Sequence, residues 1–224
     1  MKQILVILTI ASSPTSDITP LLLESLAQEQ IQHVSLLARL SEEEITERYA
    51  LQEGEETVMV RLSTDVTMRL SARRIEQGLQ QLIDQLETAG NENILLLGCG
   101  QFSNLQAENA VLLEPDRLIP PLVKAMVEGH LAGIIVPAEE PLRQQAIKWR
   151  NLSPAACFAI ATPARNNEAL IDAGLLLLEQ GAEVVVLDGA GYHSGHSDLL
   201  QRLLGIPVLL AWRPLVKMAA ELLV

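Results

Sequence analysis

A cysteine set between two glycines, where a run of four aliphatic residues gives out, is the first place in this sequence where chemistry could be done. The stretch reads Ile94-Leu95-Leu96-Leu97-Gly98-Cys99-Gly100-Gln101-Phe102. Its apolar run has the pattern of a strand buried on both faces, and in α/β sheets the loop beyond the carboxyl end of such a strand is where ligands bind. A thiol there becomes a base or nucleophile once its pKa is lowered. The competing reading is a small hydrophobe in a tight turn, because free cysteine is among the most buried side chains. Gly98, Gly100 and Gln101 are candidate ligand contacts beside it.

A second stretch has the same form: Val184-Val185-Val186-Leu187-Asp188-Gly189-Ala190-Gly191-Tyr192. Laid without a gap on the first, it puts Tyr192 on Phe102 and Gly189 on Cys99, so one thiol stands where two could have stood. Asp188, at the strand end, can orient ligand groups or bond loop amides. His193 follows and offers acid–base chemistry, while Gly189 and Tyr192 are further candidate contacts. His193 and His196 alone do not make a metal site, since zinc sites usually need three or four protein ligands. A third loop, after the first hydrophobic run, carries Ser12 and Ser13, whose hydroxyls and amides beside a helix start suit a carboxylate or phosphate.

The elements that must position these loops are read from periodicity. Buried or half-buried strands are expected at 3–10, 31–37, 57–62, 94–97, 131–136, 156–161, 184–187 and 206–210. Thr19 is expected to cap a helix with Pro20 in its first turn. Ser41 and Glu44 form a Ser-x-x-Glu capping box. Ser71 opens a long amphipathic helix to about Thr88, with Arg73 and Arg74 in its first turn against the dipole preference; a cation in that place serves a ligand or is simply exposed. Further helices are expected to end near Gly129, Trp149, Gln180, Leu204 and Leu222, with Asp198 as a cap or first-turn acid. The alternation gives an α/β protein of mainly parallel sheets. Two Rossmann-like lobes are expected, 1–110 with about 208–224 in the first and 111–207 in the second.

Composition narrows the function. Hydrophobic residues make up 49% of the 224 and aromatic ones 3%, so the core must be aliphatic. Sixteen Lys and Arg against twenty-eight Asp and Glu give a net charge of −12, which argues against nucleic acid or an anionic membrane as the main partner. The apolar runs are strand-sized, short of the ~20 residues of a membrane helix. No small-residue cleavage site follows Met1-Lys2, and Cys99 and Cys157 lack metal-like spacing, so reduced thiols in the cytoplasm are expected.

The runs LEPDRLIPPL at 113–122, IDAGLLLLEQGAEVVVLDGAGY at 171–192 and PVLLAWRPLVKMAAELLV at 207–224, with the strand-then-SSP opening, resemble the AroM family. That family is similar to the aspartate/glutamate/hydantoin racemase superfamily. The resemblance implies two pseudosymmetric α/β lobes, a site in the cleft between them, no cofactor, and a homodimer. It also implies a cysteine from each lobe, one removing the substrate α-proton and the other returning a proton to the opposite face. Superfamily members often carry Leu-Cys-Thr-Gly and Leu-Asp-Cys after the two strands, and an Arg after Ser-Pro. Here Leu97-Gly98-Cys99-Gly100, Leu187-Asp188-Gly189 and Thr15 stand in those places. The first expectation is therefore a degenerate racemase-like fold that binds a small carboxylate or other small anion. The alternatives are a one-cysteine isomerase or lyase acting on an α-substituted acid, and a protein–protein interaction module.

Overall fold

The computed structural model describes residues 3–11, 18–62, 66–97, 102, 104–137, 142–163 and 167–223. Along the first half the elements are β1 (Leu5–Thr9), α1 (Thr19–Leu22), β2 (Ile31–Ser35), α2 (Glu42–Tyr49), β3 (Thr57–Arg61), β4 (Thr67–Ser71), α3 (Ala72–Thr88), β5 (Asn93–Leu97) and β6 (Val111–Leu113). Then come α4 (Pro115–Val127), β7 (Ala132–Val136), α5 (Leu142–Lys148), β8 (Cys157–Ile160) and α6 (Glu168–Glu179). The chain closes with β9 (Val184–Leu187), α7 (Ser194–Leu204), β10 (Val208–Leu210) and α8 (Arg213–Glu221).

Two compact units result. Unit 1 holds Leu26–Pro115, the β1 segment before it and residues from Ala219 onward; unit 2 holds Asp116–Met218 with the segment that ends at Ser25. Each carries a four-stranded parallel sheet, in the order β2-β1-β5-β6 in unit 1 and β10-β9-β7-β8 in unit 2. Numbered along the chain within its own four-stranded sheet, each order is 2-1-3-4. β5 and β9, the strands that lead to Cys99 and Gly189, thus hold the same place, beside their unit's first strand at the point where the strand order reverses.

The continuous apolar runs do what they predict. Leu5–Leu8 of β1, Ala132–Val136 of β7 and Val185–Leu187 of β9 are fully buried. In unit 1, Val6, Leu8, Ile94 and Leu96 share one sheet face and pack with Ile45 of α2, Val58 and Leu70 of the β3–β4 hairpin, and Ile75, Leu79 and Ile83 of α3. The helix starts follow local chemistry. Ser41 and Glu44 form the expected reciprocal cap, Glu44 N to Ser41 Oγ at 3.2 Å and Ser41 N to Glu44 Oε2 at 2.8 Å, and Ser71 Oγ accepts from Arg74 N at 3.3 Å.

Four local expectations are corrected. Two strands were not foreseen: β4, antiparallel to β3, and the three-residue edge strand β6. β4 buries only Leu70 and Ser71, so its sequence lacks the run of a central strand. Thr19 lies inside α1 rather than capping it; the cap position is Ile18, which has no side-chain acceptor. α7 begins at Ser194, four residues before Asp198, because the His193 ring rather than an acid caps it.

Leu79, fully buried on α3, tests the unit 1 core. Leu79→Ala is expected to lower the unfolding free energy by about 2–5 kcal/mol in urea titrations, while exposed Gln85→Ala on the same helix changes it by less than about 0.5 kcal/mol.

Candidate functional site

β9 delivers Asp188 to the end of the unit 2 sheet, where its amide still bonds the Ile135 carbonyl at 2.9 Å. The residue is 1% exposed, so its carboxylate needs partners from the protein. Both tryptophans of the chain supply them: Trp149 Nε1 donates to Oδ2 at 3.1 Å and Trp212 Nε1 to Oδ1 at 3.3 Å. Lys148 Nζ lies 2.7 Å from the same Oδ2, and its second carboxylate partner is Asp116, at 3.3 Å. Trp149 Nε1 also reaches Gln145 Oε1 at 3.2 Å. The sequence reading left Asp188 between ligand-orienting carboxylate and loop anchor; here its oxygens receive an ammonium and two indoles.

The next position is sterically closed. A Cβ on Gly189 would lie 2.8 Å from Cγ and 3.1 Å from Cδ of Pro137, and 3.1 Å from Cε2 of Tyr192. Pro137 follows β7, the neighbour of β9, so these two rings occupy the crevice where the unit 2 strand order reverses. Tyr192 is 1% exposed, and its hydroxyl donates to the Ala161 carbonyl just past β8. Two bulky rings thus stand where an added side chain at 189 would have to go.

His193 ends this loop as the N-cap of α7. Its Nδ1 accepts from Gly195 N at 3.2 Å, and its own amide donates to His196 Nδ1 at 3.1 Å. The ring is half-buried, and its Nε2 has no partner among the described residues. His196 is pushed down to about 4 by burial and then by the neighbouring His193. The start of α7 already holds an anion of the chain itself. Ser194 Oγ and N donate to Glu24 Oε1 at 2.5 and 3.2 Å, and Arg213 Nη2 lies 3.4 Å from Glu24 Oε2. Burial works to raise the Glu24 pKa, but the Ser194 hydrogen bonds and the Arg213 charge outweigh it and hold the group below its ordinary value.

Asp188, Gly189, Tyr192 and His193 therefore come together in unit 2. Ser12, Ser13, Gly98, Cys99, Gly100 and Gln101 lie outside the described residues. The strands before them are adjacent and level, Thr9 of β1 beside Leu97 of β5. The other cysteine, Cys157, has a thiol raised by burial and directed at the Ala132 carbonyl, a poor setting for a nucleophile. Among the described residues no group of three or more His, Cys, Asp and Glu could hold a metal ion, and no helix is long and apolar enough to cross a membrane. Lys148, Trp149, Trp212, Pro137 and Glu24 were not foreseen as parts of this region.

Comparison with known proteins adds a family and a fold. The family described as AroM protein matches residues 5–223. No curated protein sequence matches the chain. Among solved structures, an aspartate racemase homologue from Pyrococcus horikoshii OT3 is 12% identical, with a TM-score of 0.57 and 99% of each chain covered. Arylmalonate decarboxylase is 11% identical, with a TM-score of 0.52 over 98% of this chain and 91% of that one. At such identities the likeness establishes a common fold, the racemase-like α/β fold expected from the sequence.

Two outcomes are expected. Asp188→Asn takes from Lys148 the nearer of its two carboxylates and sets an amide NH2 against an indole N–H, and should cost about 3–5 kcal/mol; the double variant with Lys148→Met should cost clearly less, since the buried ammonium then goes with the carboxylate it paired. The folded pKa of His196 lies below its ordinary 6.5, so the unfolded chain binds the proton first and stability falls as pH drops from 6.5 towards about 4. His196→Gln, which keeps an acceptor for the His193 amide, should flatten that part of the curve of urea midpoint against pH.

Proposed function

The chain belongs to the AroM family, and from that premise we propose that it binds a small carboxylate or similar small anion without racemising it. The observation that carries this reading is the closed position 189, where Pro137 and Tyr192 leave no room for the second thiol that two-sided proton transfer requires. The binding loops would be those that follow β1 and β5, with Ser12, Ser13, Gly98, Gly100 and Gln101 supplying hydroxyl, amide and backbone donors. The names of both structural neighbours, aspartate racemase homologue and arylmalonate decarboxylase, refer to carboxylic acids, which supports that ligand class.

A second reading rests on two specific features. Cys99 follows the strand that sits where the strand order of unit 1 reverses, and His193 is half-buried with an unengaged Nε2. A lone thiol could move one proton on an α-substituted acid, as an isomerase or lyase does, and the His193 ring is a separate candidate acid–base group in unit 2.

Proton NMR in D2O separates the two. The protein is mixed with aspartate, glutamate, a hydantoin and arylmalonate, and saturation transfer and loss of the α-proton signal are followed in the same tubes. The expected result is saturation transfer to a carboxylate with the α-proton signal retained and no change of enantiomer. Exchange that disappears in Cys99→Ala would replace the binding reading with the one-thiol enzyme, and racemisation of either enantiomer would overturn the argument from position 189.

A further inference from the structure

Unit 1 contains a feature that none of this uses. Arg48, Tyr49, Arg74, Gln77, Gly78 and Gln81 line a polar groove of about 410 Å3 where α2 meets α3. Each of the five side chains that carry polar atoms is a hydrogen-bond donor and none is acidic, in a chain whose net charge is −12.

The lining depends on residue 78 having no side chain. A Cβ there would lie 2.8 Å from the Tyr49 hydroxyl and 3.1 Å from Cε1, so glycine lets the phenol sit against α3. The hydroxyl has no hydrogen-bond partner among the described residues, although the tyrosine is only 9% exposed. Burial raises its pKa, against a smaller opposing effect of Arg48, so it remains a donor at neutral pH.

The arginines are placed against their local interests. Arg73 and Arg74 both lie in the first turn of α3, where a cation opposes the helix dipole. Arg73 has a partner that accounts for it, with Nε and Nη2 at 3.1 and 2.9 Å from Glu55 Oε1. Arg74 has one long bond, from Nη1 to the Arg48 carbonyl at 3.4 Å, which sets its guanidinium at the end of α2 beside the residue that carries the second one. The acid one turn before Arg48, Glu44, bonds Ser41 N at 2.8 Å at the opposite end of α2, and that bond lowers its pKa more than the charge of Arg48 does.

We propose that this groove binds a phosphoryl dianion, either the phosphate group of a small phosphate monoester or free phosphate. Two guanidinium forks and a phenol match the several oxygens of a phosphate better than the two of a carboxylate. The Gln77 and Gln81 carboxamides then face the remaining volume, where the alcohol part of an ester would lie. The site is independent of the strand-end loops, and it stands or falls separately from the carboxylate reading.

The test is a phosphorus NMR titration of the full chain with inorganic phosphate and with glycerol 3-phosphate, at ionic strength held constant with potassium chloride. Saturable line broadening is expected, weakened at least about tenfold by Arg48→Gln or Arg74→Gln and roughly fivefold by Tyr49→Phe. Arg73→Gln, which removes the neighbouring charge of the same turn, should leave it unchanged, and circular dichroism checks that each variant is folded. Tighter binding of the ester assigns the organic part to the Gln77 and Gln81 wall; equal binding assigns the groove to free phosphate. Absence of saturable broadening, or a loss in Arg73→Gln equal to that in Arg74→Gln, overturns the proposal.

Discussion

The organisation of unit 2 rests on one carboxylate that water does not reach. A buried carboxylate is costly unless charge and hydrogen bonds replace its hydration. Asp188 obtains both, from an ammonium and two indoles that belong to separate parts of the chain. Lys148 and Trp149 lie at the end of α5, Trp212 just before α8, and Asp116 extends the ion pair to α4. The end of β9 is thereby tied to three helices. Such an arrangement contributes less to net stability than to fixing one geometry, because only one placement of the helices satisfies every partner.

That fixed geometry explains a difference between two sheets of the same strand order. In unit 1 the reversal of strand order is followed by a glycine-flanked thiol. In unit 2 the corresponding loop starts at an immobilised Asp188, and Pro137 and Tyr192 pack over Gly189. The hydroxyl of Tyr192 is engaged by the Ala161 carbonyl, and the start of α7 is occupied by Glu24. Among the described residues the side-chain donors of this loop, His193 Nε2 apart, are already committed to the chain itself.

The sequence made the central strands legible because β1, β5, β7 and β9 are built on short aliphatic runs bounded by turn residues, a length and setting that favour a buried strand over a helix. The family resemblance and the fold were legible for the same reason, together with the quoted motifs. β4 was hidden because it is half-exposed, and β6 because three residues carry no period. The start of α7 was misplaced because histidine is not among the usual capping residues. Asp188 stood out at its strand end, yet its partners lie 24 to 40 residues away in sequence, and no spacing rule connects them. One signal was available: a chain with 3% aromatic residues holds only two tryptophans, and one of them directly follows a lysine at a helix end. Arg73 shows the reverse case, an anomaly in the sequence that Glu55 resolves.

The convergence of both indoles on Asp188 has a spectroscopic consequence. Trp149 and Trp212 belong to unit 2, and unit 1 contains none, so the tryptophan emission of the whole protein originates beside a single carboxylate. That tryptophan emission does not report on unit 1, whose ring chromophores are Tyr49 and Phe102. An optical signal that looks like the behaviour of the entire chain is therefore a local probe of the Asp188 environment, and a single tryptophan introduced into α3 would give the other unit a signal of its own.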